Sequence, residues 1–96
     1  MVERTLLIRG RLGLHARAAA KLVRLANGFQ SQVLLRRLDG GVTADAKSIL
    51  SVLMLAASQG TELQVSADGV DEETTLSAIE KFFAEGFGEI EPESSL

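Results

Sequence analysis

The spacing of hydrophobic positions along the chain switches between a period of two and a period near ~3.6, and each switch marks an element. Val2 to Ile8 reads as a strand, with Leu6 and Ile8 on one face. Gly10 to Gly13 breaks the pattern as a loop. Ala16 to Asn27, rich in Ala and Leu and free of Gly and Pro, predicts a helix whose buried stripe is Ala19, Leu22, Val23 and Ala26. Asn27-Gly28 ends it, with Gly28 available for a left-handed cap. Gln32 to Arg37 returns to alternation with Val33 and Leu35 inward, and Asp39-Gly40-Gly41 is a hairpin signal before a short strand, Val42 to Asp45. Ser48 to about Ala57 predicts a second helix, broken by Gln59-Gly60. Thr61 to Ala67 alternates cleanly, with Leu63, Val65 and Ala67 inward. A last helix runs from about Asp71 to Ala84, with an acidic first turn that suits the helix dipole, anchors at Leu76, Ile79 and Phe83, and a stop at Gly86. The order is βαββαβα, an α+β pattern best satisfied by an antiparallel sheet covered on one face by helices.

Composition narrows the chemistry. A chain of 96 residues predicts one domain. The stretch from Glu89 to Leu96 holds the only proline and several charges, so the domain is taken as residues 1–89 and the tail over 90–96 as frayed. Without cysteine there are no disulfides and no thiolate metal sites, and with one histidine and no spaced carboxylate cluster neither metal nor cofactor is expected. The absence of Trp and Tyr, with a net charge of −3, argues against nucleic acid as a partner. Neither a signal peptide nor a spanning segment is evident, so a cytoplasmic protein without membrane insertion is expected, as a monomer.

Candidate chemistry converges on the start of the first helix. His15 directly precedes it, where the first backbone N–H groups lack intrahelical partners and the dipole favours an anion. Arg17, in the same turn, adds a planar donor fork suited to phosphate oxygens. Imidazole nucleophiles operate at cell pH. A nucleophile beside an anion cradle suits reversible phosphoryl transfer, which asks little of a protein beyond positioning and charge stabilisation. A lone histidine before a helix is also commonly a solvated residue or a cap. Arg17, Lys21 and Arg24, spaced i, i+4, i+7, share one helix face. That stripe is either a solvated face or a docking surface for acidic partners.

Gly13-Leu14-His15-Ala16-Arg17 resembles the active-site signature of the histidine-containing phosphocarrier family, HPr, of the phosphoenolpyruvate-dependent sugar phosphotransferase system. Ala46-Lys47-Ser48-Ile49-Leu50 resembles the family's regulatory serine motif. Gln59-Gly60-Thr61 and Glu85-Gly86-Phe87-Gly88-Glu89 fit as well, so the resemblance spans roughly residues 3 to 89 in the family's order. It implies an open-faced β-sandwich: a four-stranded antiparallel sheet with three helices on one face. It implies that His15 accepts a phosphoryl group on Nδ1 from phosphorylated enzyme I and passes it to an enzyme IIA, with Arg17 on the phosphoryl oxygens. The protein would then be a transiently phosphorylated carrier, not a free-standing enzyme. It also implies phosphorylation of Ser48 where an HPr kinase/phosphorylase is present.

Two departures stand out. Ala18 replaces the family's usual proline three residues after the histidine; Ala restores an N–H and keeps good helix propensity, so function is expected to persist. Leu12 stands where many relatives carry a small polar residue. The second hairpin is longer than in many relatives, and its tip, Arg36 to Gly41, is distant in sequence from the first motif and expected to be harmless. The second helix is apolar nearly all round. Val52, Leu55 and Ala56 cluster on one side, and Ile49, Leu50 and Leu53 on another. Both sides belong to the core, or the second is a docking patch; the resemblance favours the patch, beside Ala16, Ala20, Lys21 and Arg24. Ser48 opens that helix as an N-cap, a role compatible with modification. Two other readings remain: a regulatory carrier of the nitrogen-related phosphotransferase branch, and a purely protein-binding module acting through Ser48.

Overall fold

In the computed structural model, which describes residues 1–88, the elements follow the order β1 (Val2–Leu7), α1 (Ala16–Asn27), β2 (Gln32–Arg37), β3 (Thr43–Asp45), α2 (Ile49–Leu53), β4 (Glu62–Asp68) and α3 (Glu72–Ala84). The expected domain end at 89 and the tail at 90–96 lie outside the described residues. The strands form an antiparallel sheet in the order β1-β4-β2-β3. The interior strand β4, the last strand made, therefore pairs on both sides with segments distant in sequence, while β2 pairs with β4 and with its hairpin neighbour β3.

Alternation sends Leu6, Val33, Leu35, Leu63, Val65 and Ala67 to the face the helices cover. Against it lie Ala18, Ala19, Leu22 and Ala26 of α1 and Leu76, Ile79 and Phe83 of α3. The opposite sheet face is open and polar. Gln64 donates to Glu3 across 3.2 Å, and Arg36 donates to Gln64 across 2.7 Å, linking three strands without apolar cover. The expected α+β open-faced sandwich is thus the fold observed.

Asp71 ties the start of α3 to the segment between α1 and β2. It caps α3 through its carbonyl, which accepts from the Thr75 N–H at 2.9 Å. Its carboxylate instead reaches back over forty residues. It accepts from the backbone N–H groups of Gln30 and Ser31, both at 2.9 Å, and from the Ser31 hydroxyl. Buried Ser31 and Thr75 are both satisfied this way. These hydrogen bonds, Ser31's hydroxyl first, hold the Asp71 carboxyl down to about 2.

The end of α3 forms a Schellman motif. The Phe87 N–H bonds the Phe82 carbonyl and the Gly86 N–H bonds the Phe83 carbonyl, both at 3.0 Å. Gly86 takes φ 64°, which glycine allows at little cost. Phe87 thereby turns inward and is fully buried, its ring 5.1 Å from Phe83 and 5.4 Å from Phe82.

Several sequence expectations need correction. α2 stops at Leu53 rather than near Ala57, because tighter three-residue turns (Leu55 N–H to Val52, Ala56 N–H to Leu53) replace the helical ladder. Ala56 then takes a left-handed φ of 51° and is exposed, not packed beside Val52 and Leu55. Val23 is half-buried, at the margin of the α1 stripe. Gly28 keeps a right-handed φ of −78°, because the side chain of Asn27 bonds the Val23 carbonyl and closes the helix instead. Ile8 lies just past β1 yet remains buried, and Val42 lies just before β3, half exposed.

Candidate functional site

His15 is the N-cap of α1, with extended backbone at φ −73° and ψ 178°. Its carbonyl accepts the first helical bond, from the Ala19 N–H at 2.8 Å. Its side chain makes no capping bond to the helix and is half-buried. The three residues that follow, Ala16, Arg17 and Ala18, are those whose N–H groups the helix itself leaves over. A twelve-residue helix thus points its positive end at the histidine. Arg17 is exposed in that first turn. Ala18, where the family pattern has proline, is fully buried against the core.

The loop that delivers His15 hangs from a second loop. The Leu14 N–H bonds the Ala57 carbonyl at 2.9 Å. Gly13 has φ 65°, and a Cβ there would stand 2.7 Å from both the Ala57 oxygen and the Ser58 Cα. Only glycine permits that approach. Ile8 exchanges backbone bonds with Gly60 and Thr61, and the Gln59 side chain bonds the Arg9 carbonyl at 3.0 Å. Leu14 buries its side chain and so anchors the histidine's neighbour in the core.

Ser48 caps α2, its hydroxyl accepting from the Ser51 N–H at 3.3 Å. Lys47 donates to the Phe29 carbonyl at 2.9 Å, and Asn27 reaches the Lys47 carbonyl at 3.4 Å. The lysine-serine pair is therefore fastened to the far end of α1, while His15 stands at its start. Ile49, Leu50 and Leu53 are exposed, so the two apolar sides of α2 do divide into core and surface. Val52 and Leu55 go to the core. Ala16 and Arg24 are exposed, and Ala20 and Lys21 half-buried, on the neighbouring helix.

The family described as the PTS HPr component phosphorylation site matches residues 2–85. The chain belongs to the HPr family. Phosphocarrier protein HPr of Xylella fastidiosa (strain 9a5c) is 46% identical over 89 residues, covering 93% of this chain and 98% of that protein. Phosphocarrier protein NPr of Escherichia coli K12 is 43% identical over 88 residues, covering 92% and 97%. The crystal structure of HPr-C-His from Thermoanaerobacter tengcongensis matches with a TM-score of 0.88 at 37% identity, over 95% of this chain and 100% of that one. The chain is accordingly a phosphocarrier of the phosphotransferase system.

Two exposed apolar residues of this HPr-family chain have no signal in the sequence pattern. Met54 is 75% exposed and Leu12 70% exposed. Met54, whose N–H bonds the Leu50 carbonyl, follows Leu50 by one helical turn and shares its exposed side. The bond from Leu14 to Ala57 has no sequence signal except Gly13 itself. Among the described residues no helix is long and apolar enough to cross a membrane.

Proposed function

We propose that His15 accepts a phosphoryl group on Nδ1 from phosphorylated enzyme I and passes it to an enzyme IIA. A bond forms between the imidazole nitrogen and phosphorus as the bond from phosphorus to the donor atom breaks, the electron pair leaving with the donor. The second transfer repeats this with His15 as donor. The observation that carries the reading is the N-cap position of His15 on a long helix, with Arg17 exposed in the first turn. The leftover N–H groups and the guanidinium supply positive potential where phosphoryl charge is held. Incubation with enzyme I and labelled phosphoenolpyruvate tests it. Acid-labile label on the wild-type chain, absent from His15→Ala, is expected; unchanged labelling of that variant refutes the reading.

Docking is assigned to the exposed side of α2 (Ile49, Leu50, Leu53) together with Ala16, Ala20, Lys21 and Arg24. Ser48, at the edge of that surface, is the regulatory position. A phosphate there would add about two negative charges beside apolar surface and weaken docking to enzyme I. Ser48→Asp should slow transfer from enzyme I, and equal rates for the two proteins count against regulation at this residue.

The second reading places the carrier in the nitrogen-related branch, favoured by the identity to NPr proteins. The lysine-serine motif favours the carbon branch, or a kinase-regulated signalling carrier. Transfer rates from the enzyme I of each branch decide between them. The carrier acts in this scheme as a monomer, which sedimentation at working concentration checks.

A further inference from the structure

Arg37 ends β2 in register with Leu63, so it lies on the inner face of the sheet, an unusual place for a charge. Its side chain is 23% exposed and every arm of the guanidinium is used. Nε and Nη2 donate to the two carboxylate oxygens of Asp39, each at 2.8 Å. Nη1 donates to the carbonyls of Leu55 at 2.8 Å and Ala56 at 3.2 Å.

Those carbonyls belong to the turn where α2 gives out. Ala56 sits there in the left-handed region, which a non-glycine residue keeps only where its surroundings hold it. The next carbonyl, Ala57, accepts the Leu14 N–H and faces Gly13 without room for a Cβ. Residues 60 and 61 are held at the other end by Ile8. On the α2 side the tether is Arg37. A continuous path therefore runs from Asp39 through Arg37 to the 55–57 turn, and from that turn to the residue before His15.

We infer that Arg37, oriented by Asp39, is a positioning residue for His15, fixing through the 55–57 turn the height at which the histidine loop is held. The hairpin tip, which its sequence distance from the first motif marks as harmless, thus bears on the histidine. The inference rests on His15 as the phosphoryl acceptor. Lysine could keep a carbonyl bond but cannot bind Asp39 at two points at the same time.

The test combines steady-state transfer from enzyme I with backbone amide chemical shifts, for Arg37→Met, Arg37→Lys and Asp39→Asn. Arg37→Met should shift the Leu14, His15 and Ala16 amides as well as those of residues 56–58. It should lower kcat by about tenfold with KM nearly unchanged, since small misplacements of a reacting group cost up to about 100-fold. Arg37→Lys should recover part of the loss. Should Arg37→Met not fold, Asp39→Asn, at an exposed carboxylate (61%), carries the test with a smaller loss of the same kind. Folded variants with unmoved Leu14 and His15 amides, or a loss confined to KM, overturn the inference. His15→Ala in the same assay separates the two ideas. Label surviving in that variant refutes the acceptor reading, whereas normal wild-type labelling with kinetically silent Arg37 and Asp39 variants overturns only the clamp.

Discussion

At the scale of single residues, two positions carry more than their size suggests. Gly13 is constrained twice, by φ 65° and by the closeness of Ala57 and Ser58. Gly13→Ala meets a left-handed penalty of about 1–2 kcal/mol and forces the two loops apart as well. Thermal unfolding should show at least that loss, and transfer to His15 should fall with it. Asp71 is constrained electrostatically. Its folded carboxyl titrates near 2, below the ordinary carboxylate range, so the unfolded chain binds a proton first as pH falls. Its stabilising contribution is therefore full above about pH 4 and is lost as pH drops toward 2. Replacing it as Asp71→Asn should lower stability at neutral pH and flatten the acid limb of a urea-unfolding series between pH 4 and 2. An acid limb as steep as that of the wild type would remove Asp71 from the account.

Elements differ in how far their own sequence determined them. α1 and α3 are twelve and thirteen residues long with clear apolar stripes, and their sequence periodicity predicts both nearly to the residue. The strands were equally legible, since each buries one face and alternates. α2 was not. Ile49 to Leu55 is apolar on nearly every side, so periodicity gives no preferred face and no stopping point. Its end is made by the three-residue turns at Leu55 and Ala56, which periodicity does not signal, and Arg37 holds the carbonyls just beyond it. His15 and Arg17 were legible as a candidate site because the chemistry proposed for them sits within one turn. The loop contact from Leu14 to Ala57 was not, because it joins backbone atoms that carry no residue identity. The short α2 leaves a consequence open to measurement. Leu50 is 67% exposed, so Leu50→Ser should change stability by no more than about 0.5 kcal/mol. Transfer from enzyme I should still fall several-fold if that side docks partners, and an unchanged rate would remove it from the interface.

Over the whole molecule, charge is segregated against the net balance. The chain carries −3 overall, yet Arg17, Lys21 and Arg24 line one helix, while Glu72 and Glu73 occupy the first turn of α3. Arg17 and Arg24 are exposed, so their field reaches into solvent near His15. A local basic face on an acidic body orients an acidic partner before contact, which raises association rate more than final affinity. Such steering is screened over about 10 Å at 0.1 M salt, whereas the apolar contacts proposed for α2 are not. The second-order rate of phosphoryl transfer from enzyme I should therefore fall as ionic strength rises. Arg24→Gln, at a position well along α1 from His15, should lower the rate at low salt and flatten the salt dependence, leaving the rate at high salt nearly as it was. Stopped-flow transfer kinetics across a salt series read this directly. A slope identical to that of the wild type would mean that the stripe is only a solvated face, and that docking relies on the apolar surface of α2 alone.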